Sequence, residues 1–182
     1  MSNEPPTMES PVEELPEEQP LDELLNRLER ENSTIMREKL PRLRALLDKE
    51  LTAQRTEHEV RLADLGRQLT ALRNELEEHL TVEEREVFPH VRDLLRANEE
   101  GTKKPEARGV GIQELHEEHQ TTLQAIDEIR RLGAEYDLPE DAGEGLREFY
   151  DELADLQDLL VRHLETEEEA LFPRIAEMER GE

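Results

Sequence analysis

Two segments of the chain share one pattern: HLTVEEREVFPHV, residues 79–91, and HLETEEEALFPRI, residues 163–175. In each segment a His is followed four residues later by a Glu and nine residues later by Phe-Pro. Residues four apart lie on one face of an α-helix, about one turn from each other. Each His–Glu pair is therefore predicted to point at a single place, and the repetition predicts one site shared by two helices.

The apolar residues of the chain recur every three or four positions, which is the period of an α-helix. Gly- and Pro-containing segments, EEGTKKPEARGVG and DLPEDAGEG, interrupt this period. The pattern predicts an all-α fold, an antiparallel up-down-up-down four-helix bundle, over residues 21–182. The apolar residues place its four helices at Leu21 to Leu47, Leu62 to Glu83, Ile112 to Ile129 and Leu146 to Met178.

Composition limits the possible functions. The net charge of −25 repels nucleic acid phosphates and anionic lipids, so we expect neither as a partner, and metal cations are the natural ligands of such a surface. The chain has no Cys, which excludes thiolate metal sites and disulfides. No apolar run approaches the length of a membrane span and no signal peptide is apparent, so we expect a cytoplasmic protein. Residues 1–20, rich in Pro and Glu, are expected to form a disordered acidic tail.

The two His–Glu pairs stand in the apolar stripes of their helices, where Leu is expected. A buried carboxylate or imidazole costs several kcal/mol unless it is compensated. A metal ion at the centre of the bundle would compensate His79, Glu83, His163 and Glu167 together, as in carboxylate bundles that hold two iron or manganese ions. A metal-free bundle whose polar residues pair with one another is the alternative interpretation.

The third helix offers two further candidates in the segment LHEEHQ. His119 lies on the apolar stripe, and His116, one turn earlier, lies on its edge, so either could reach a central metal. Ligands at one height on antiparallel helices should be equally far from the connection between them. The midpoint of His119 and His163 is residue 141, inside DLPEDAGEG, which agrees with this rule.

The same rule exposes a gap in the first helix. A turn near residues 52–58 would place the partner of His79 at residues 30–36, where the sequence has no His. Asn32, Ile35 and Met36 occupy the stripe there, and Glu31 lies on its edge. One His ligand is therefore missing, and we expect the ion nearer the first helix to be held more weakly.

Other residues near the repeated segments are expected to have structural or solvent-exposed roles. Phe88 and Phe172 are expected to pack, while Pro89 and Pro173 should kink or end their helices. His90 is expected at the surface or behind the ligands, and His58 is expected to be solvated beside the first turn. Glu84, Glu168 and Glu169 are interpreted as a solvated charge run, whereas Glu86 lies nearer the stripe and is a candidate to support the ligands from behind.

The repeated segments, together with Glu118-His119, resemble the hemerythrin-like cation-binding domain over residues 21–178. Within that superfamily MREKLPRL, EEHQ and HLETEEEALFPR are most similar to the iron–sulfur cluster repair proteins. The resemblance implies a non-haem centre of two iron ions with oxo and carboxylate bridges. The residues that it implies as ligands are His79, Glu83, His119, His163 and Glu167.

The chain departs from the repair proteins at two places. Met36 stands where they have a His in the first helix, so His116 or Glu31 is the candidate replacement. An acidic tail stands where they commonly carry a small Cys-bearing domain.

Three functions stay open at this point. The first is repair of iron–sulfur proteins or delivery of iron to them under oxidative or nitrosative stress. The second is binding of dioxygen or nitric oxide by the iron site, for transport, scavenging or sensing, and the third is a metal-free structural bundle. Hydrolase, kinase and dehydrogenase functions have no support, because the sequence contains no matching motif. Whether the protein is an enzyme is left open.

Overall fold

A computed structural model describes residues 19–53, 58–106, 111–134 and 143–180. At residues 53, 58–61 and 134 it describes the backbone only. These residues form helices and no strand, so the predicted all-α fold is confirmed. The predicted tail lies mostly outside the described residues, as does the side chain of His58. Among the helices that are described, none combines the length and apolar character needed to cross a membrane.

Four long helices contain all the regular structure that is described. Helix α1 consists of Leu21–Thr34, a π-helical turn Ile35–Lys39 and Leu40–Ala53. Helix α2 consists of His58–Val82, a π-turn Glu83–Val87 and Phe88–Glu100. Helix α3 is Ile112–Ala134, and helix α4 consists of Glu144–Thr166, a π-turn Glu167–Leu171 and Phe172–Arg180. Helix α1 packs against α2 and α4, and α3 packs against the same two helices.

Each π-turn is followed closely by a Pro, which explains how these helices continue. A Pro has no N–H, and its ring crowds the carbonyl four residues earlier in a regular α-helix. In α2 the N–H of Phe88 reaches the carbonyl of Glu83, five residues back, and this wider turn leaves room for Pro89. Of the two expected effects of Pro89 and Pro173, a kink or an end of the helix, the end is excluded, since α2 continues to Glu100 and α4 to Arg180.

The apolar core is divided into two clusters along the helix axes. The larger cluster lies at the C-terminal parts of α1 and α3 and the N-terminal parts of α2 and α4. It includes Leu47, Leu72, Ile129, Phe149 and Leu156. The smaller cluster takes residues from the opposite ends of the same helices; it includes Leu24, Phe88, Leu115, Leu171 and Ile175.

A layer of buried polar side chains lies between the two apolar clusters in the sequence of every helix. We call it the polar layer, and its members are Asn32 of α1, His79 and Glu83 of α2, His119 of α3, and His163 and Glu167 of α4. Phe88 and Phe172, predicted to be packing residues, are buried in the smaller cluster beside it. The fold thus brings all four helices to one polar position.

Candidate metal centre

Four side chains of the polar layer form a compact group. They are His79, Glu83, His119 and Glu167, and one ligand atom from each lies within 4.8 Å of those of the other three. All four residues are at most 4% exposed. The sequence predicted each of them as a metal ligand, and the structure brings them together from three helices.

The Nε2 atoms of the imidazoles face the carboxylates and each other. Nε2 of His79 lies 2.6 Å from Oε1 of Glu83 and 3.1 Å from Nε2 of His119. Nε2 of His119 lies 3.3 Å from Oε2 of Glu167. The contact of His79 with Glu83 is close enough for strong charge attraction, although it lacks the angles of a hydrogen bond. Atoms that can donate electron pairs therefore gather at one point.

His163 approaches the same two carboxylates through their other oxygen atoms. Its Nε2 lies 3.5 Å from Oε1 of Glu167 and 3.9 Å from Oε2 of Glu83. Glu83 and Glu167 each present one oxygen to the pair His79 and His119 and the other oxygen to His163. This arrangement suits carboxylates that are shared between two cation positions.

Helix α1 reaches the polar layer through Asn32. Its Nδ2 donates a hydrogen bond of 3.0 Å to Oε2 of Glu83, and the residue is only 1% exposed. From the sequence, Asn32, Ile35 and Met36 were the residues expected in the apolar stripe of the first helix opposite His79. Ile35 and Met36 instead pack with the larger apolar cluster.

Each imidazole of the polar layer is oriented by a carboxylate on a different helix. Nδ1 of His79 lies 2.9 Å from Glu118, and Nδ1 of His119 lies 2.7 Å from Glu168. Nδ1 of His163 lies 3.0 Å from Glu31. A carboxylate at Nδ1 fixes the tautomer in which Nδ1 carries the hydrogen, so that Nε2 can offer its lone pair to a metal.

These outer carboxylates were the functional residues that sequence reasoning missed. The interpretation of Glu168 as solvated is wrong, because its two oxygens accept hydrogen bonds from His119 and His116. Glu31 was considered as a replacement ligand, but it contacts the far nitrogen of His163. No local sequence signal reveals such pairs, since each one joins residues on two different helices.

Two other His residues lie away from the group. The side chain of His116 is 53% exposed and its Nδ1 contacts Glu168, so the structure does not bring it to the central atoms. His90 is buried, not at the surface, and its Nε2 lies 3.0 Å from Glu179 near the end of α4. Of the two candidates in α3, only His119 enters the polar layer.

The pKa values in the polar layer diverge because the charges are close and buried. Burial disfavours the charged form of His79, but Glu83, Glu118 and Glu167 outweigh it and raise its pKa to about 9. Burial and the neighbouring charge of His79 lower the pKa of His119. Burial likewise opposes the charged form of His163, yet carboxylates led by Glu167 raise its pKa.

The two central carboxyl groups shift in opposite directions. Burial alone would raise the pKa of Glu83, but the close contact with His79, the charge of His163 and the Asn32 amide outweigh it and lower that pKa. Burial, followed by the negative charge of Glu83, raises the pKa of Glu167 well above its ordinary value. The surroundings thus favour the ionised form of Glu83 and the neutral form of Glu167.

Five buried polar atoms of this layer have no hydrogen-bond partner among the described residues. They are Oδ1 of Asn32, Oε1 of Glu83, both carboxylate oxygens of Glu167 and Nε2 of His163. Buried polar atoms are nearly always paired, and leaving them unpaired is costly. A cation would satisfy these atoms together, and a donor set of imidazole and carboxylate with no sulfur suits transition metals such as iron and manganese. The residues present fit a metal centre.

Residues 21–175 match the hemerythrin HHE cation binding domain. The chain belongs to the hemerythrin HHE family. Curated relatives include iron-sulfur cluster repair protein YtfE from Pectobacterium carotovorum subsp. carotovorum (strain PC1), 30% identical, and from Dickeya chrysanthemi (strain Ech1591), 29% identical. Each match covers 76% of this chain but only 58% of the relative, so the chain spans little more than half the length of either repair protein.

An acidic groove lies beside the centre of this hemerythrin-like domain. It has a volume of about 510 Å³ and runs between α2 and α3, with His79 in its wall. Its other lining residues are Glu75, Glu78, Glu114, Glu117, Glu118, Thr121 and Thr122. A cleft lined by one sign of charge raises the local concentration of the opposite ion, here a cation.

Proposed function

We propose that this hemerythrin-like chain binds iron in its polar layer and serves the repair of iron–sulfur centres or the delivery of iron to them. The observation that carries the proposal is the set of five unpaired buried atoms, which come from three helices and meet at one height of the bundle. A metal-free structural bundle would leave these atoms buried without hydrogen-bond partners. The names of the two curated relatives support a repair role.

The proposed ligands divide between two adjacent cation positions. One ion would be held by His79, Glu83, His119 and Glu167. A second ion would be held by His163 together with the other oxygen atom of each of the two carboxylates. Bound iron supplies a Lewis-acidic, redox-active centre. Glu118, Glu168 and Glu31 keep the imidazole rings in the binding tautomer.

Protons compete with the cation for two of the proposed ligands. The pKa of His79 is raised to about 9 and the pKa of Glu167 is raised as well, so both shifts favour the protonated forms that a cation must displace. Cation binding therefore releases protons, and the affinity for a cation rises with pH. A proton on Glu167 would reduce the repulsion between two carboxyl groups that have almost no contact with water.

The proposal includes the arrangement of the helices and the limits of the domain. Helices α1 and α3 run from the smaller apolar cluster to the larger one, and α2 and α4 run the opposite way. This order supports an antiparallel up-down-up-down bundle. The bundle is proposed to occupy residues 21–182, preceded by an acidic tail at 1–20.

Iron binding is tested with anaerobically purified protein loaded with Fe²⁺, desalted, and measured by metal analysis and optical absorption. The wild-type protein should retain iron, Glu167→Ala should lose it, and the matched control Glu169→Ala, an exposed residue two positions away, should retain it. The affinity for iron should fall by more than about 100-fold, because Glu167 would bind the metal directly. Mutation of a residue that only supports a ligand typically lowers metal affinity by about 10–100-fold. A wild-type protein that retains no iron while its helical circular dichroism is intact would refute the metal site.

The repair role needs a separate assay. An iron–sulfur dehydratase whose cluster has lost an iron ion should regain activity when mixed with iron-loaded wild-type protein. Glu167→Ala supplied with the same total iron should restore less activity. Equal recovery with both proteins would show that free iron, not the bound centre, acts in this assay.

A further inference from the structure

We propose that Asn32 is itself a cation ligand, and that it makes the position beside His163 richer in oxygen than the position beside His79 and His119. This inference rests on the proposed metal-binding function. It assigns to helix α1 the ligand that the sequence left missing. It also predicts that the two positions prefer different ions.

Asn32 has one satisfied and one unsatisfied polar atom. Its Nδ2 donates to Oε2 of Glu83 at 3.0 Å, while its Oδ1 has less than 1 Å² of exposed surface and no hydrogen-bond partner among the described residues. Both atoms belong to one amide group, so the unpaired Oδ1 is buried in the polar layer together with Nδ2. Oε2 of Glu83 is the oxygen that faces His163. The amide group of Asn32 therefore approaches the shared carboxylate at the oxygen that faces His163.

The other candidates for a ligand from α1 or α3 are engaged elsewhere. Met36 packs with the larger apolar cluster, and Glu31 accepts the Nδ1 hydrogen bond of His163. His116 is half exposed and contacts Glu168. Asn32 is the remaining polar side chain of α1 that is buried in the polar layer.

The two positions then differ in their donor atoms. The first, which we call the imidazole-rich position, has two imidazole nitrogens from His79 and His119 and one oxygen from each carboxylate. The second, the oxygen-rich position, has the imidazole of His163, the amide oxygen of Asn32 and the other carboxylate oxygens.

Donor chemistry gives the two positions different preferences. Imidazole suits iron, cobalt and zinc, whereas carboxylate and carbonyl oxygens suit harder ions such as Mn²⁺. The imidazole-rich position should favour Co²⁺ or Fe²⁺ strongly over Mn²⁺. The oxygen-rich position should bind all these ions more weakly and discriminate less against Mn²⁺.

The test is an anaerobic titration of the full chain with Co²⁺, with Mn²⁺ and with both. Cobalt is followed by visible absorption, free Mn²⁺ by electron paramagnetic resonance, and the bound ratio by metal analysis after desalting. The wild-type protein should bind one Co²⁺ tightly and a second at least about 10-fold more weakly. A mixture of one equivalent of each ion per chain should give one bound cobalt and one bound manganese, because cobalt fills the tighter position first.

Three variants test whether Asn32 binds the weaker ion directly. Asn32→Leu should lose the weaker ion and keep the tighter one, while Asn32→Asp, which offers an anionic oxygen, should bind the weaker ion about 10-fold more tightly. Met36→Leu is the matched control in the same helix and should match the wild type. Circular dichroism of each variant establishes that it has folded, and Asn32→Asp keeps the test decisive if Asn32→Leu does not fold.

Two results would overturn the proposal. If Asn32 only orients Glu83 through its amide N–H, Asn32→Asp places a carboxylate against Glu83 and should weaken both ions. If Asn32→Leu keeps both ions with unchanged affinities, Asn32 is not a ligand. A wild-type protein that binds neither cobalt nor manganese would instead refute the proposed metal-binding function, before any variant is compared.

Discussion

Helices α2 and α4 carry the same sequence pattern in different surroundings. Both have a His and a Glu four residues apart, a π-turn that begins at the Glu, and a Pro two residues after that turn. Despite this likeness, the pKa of Glu83 is lowered and the pKa of Glu167 is raised. The spacing of the motif determines where a carboxylate lies, but residues on other helices determine its charge.

The neighbours of the two carboxylates explain the difference. Glu83 receives a hydrogen bond from Asn32 and lies 2.6 Å from Nε2 of His79. Glu167 has no hydrogen bond of normal geometry to either oxygen from the described residues, and its imidazole contacts are 3.3 Å and 3.5 Å long. In so dry a layer the first carboxylate to ionise suppresses ionisation of the second.

Neutral substitutions of the two carboxylates should break this comparison most strongly. In metal-free protein, Glu83→Gln should lower the free energy of unfolding by about 3 kcal/mol, because it removes the charge that compensates buried His79 and His163. Glu167→Gln should change it by less than about 1 kcal/mol, since the raised pKa of Glu167 favours the neutral form, which an amide resembles. Urea unfolding at pH 7 with a chelator present measures both, and equal losses would contradict the assignment of charge.

The pH dependence of the metal-free protein should sharpen the same comparison. The folded-state pKa of His79 is about 9, above its ordinary value of 6.5, so its contribution to stability is complete below pH 6.5 and is lost as the pH rises through 9. The loss is at most about 3 kcal/mol. Urea unfolding at pH 6.5, 7.5 and 9 should show this decline, and His79→Gln should flatten it. An unchanged slope in that variant would assign the decline to another group.

The carboxylates that contact Nδ1 of His79 and of His163 allow a smaller perturbation of each His–Glu pair. Glu118→Gln should weaken cation binding at His79, and Glu31→Gln should weaken it at His163, by 10–100-fold or about 1.4–2.7 kcal/mol. The control Glu77→Gln makes the same charge change at an exposed position of α2. If the control weakens Co²⁺ binding as much as Glu118→Gln does, net charge and not ring orientation is responsible.

Removal of the N-terminal segment should have the smallest effect. A chain that begins at Gln19 keeps the carbonyl that accepts a hydrogen bond from Arg174. Cation affinity and the difference between Glu83 and Glu167 should both match those of the full chain. A truncated protein that folds but releases its metal would show that the acidic segment takes part in binding.

Local geometry explains which parts of the centre were predictable. Four residues along a helix is a short-range relation, so sequence alone located His79 with Glu83 and His163 with Glu167. The partners of Nδ1 depend on distances between helices, which no period reveals. The sequence also could not show that Asn32 and not Met36 enters the polar layer. Met36 lies inside a π-turn, where the residue spacing of a regular α-helix no longer gives the direction of a side chain.

The polar layer also bears on how the bundle opens and closes in solution. It separates two apolar clusters that each bury their own side chains, and without a cation it contributes unpaired atoms between them. In the metal-free protein, amide hydrogens near Phe88 and Phe172 should exchange with solvent through an opening of the smaller cluster alone. A cation held from several helices would join the two halves into one cooperative unit, and metal occupancy would then be readable from amide exchange in the apolar core.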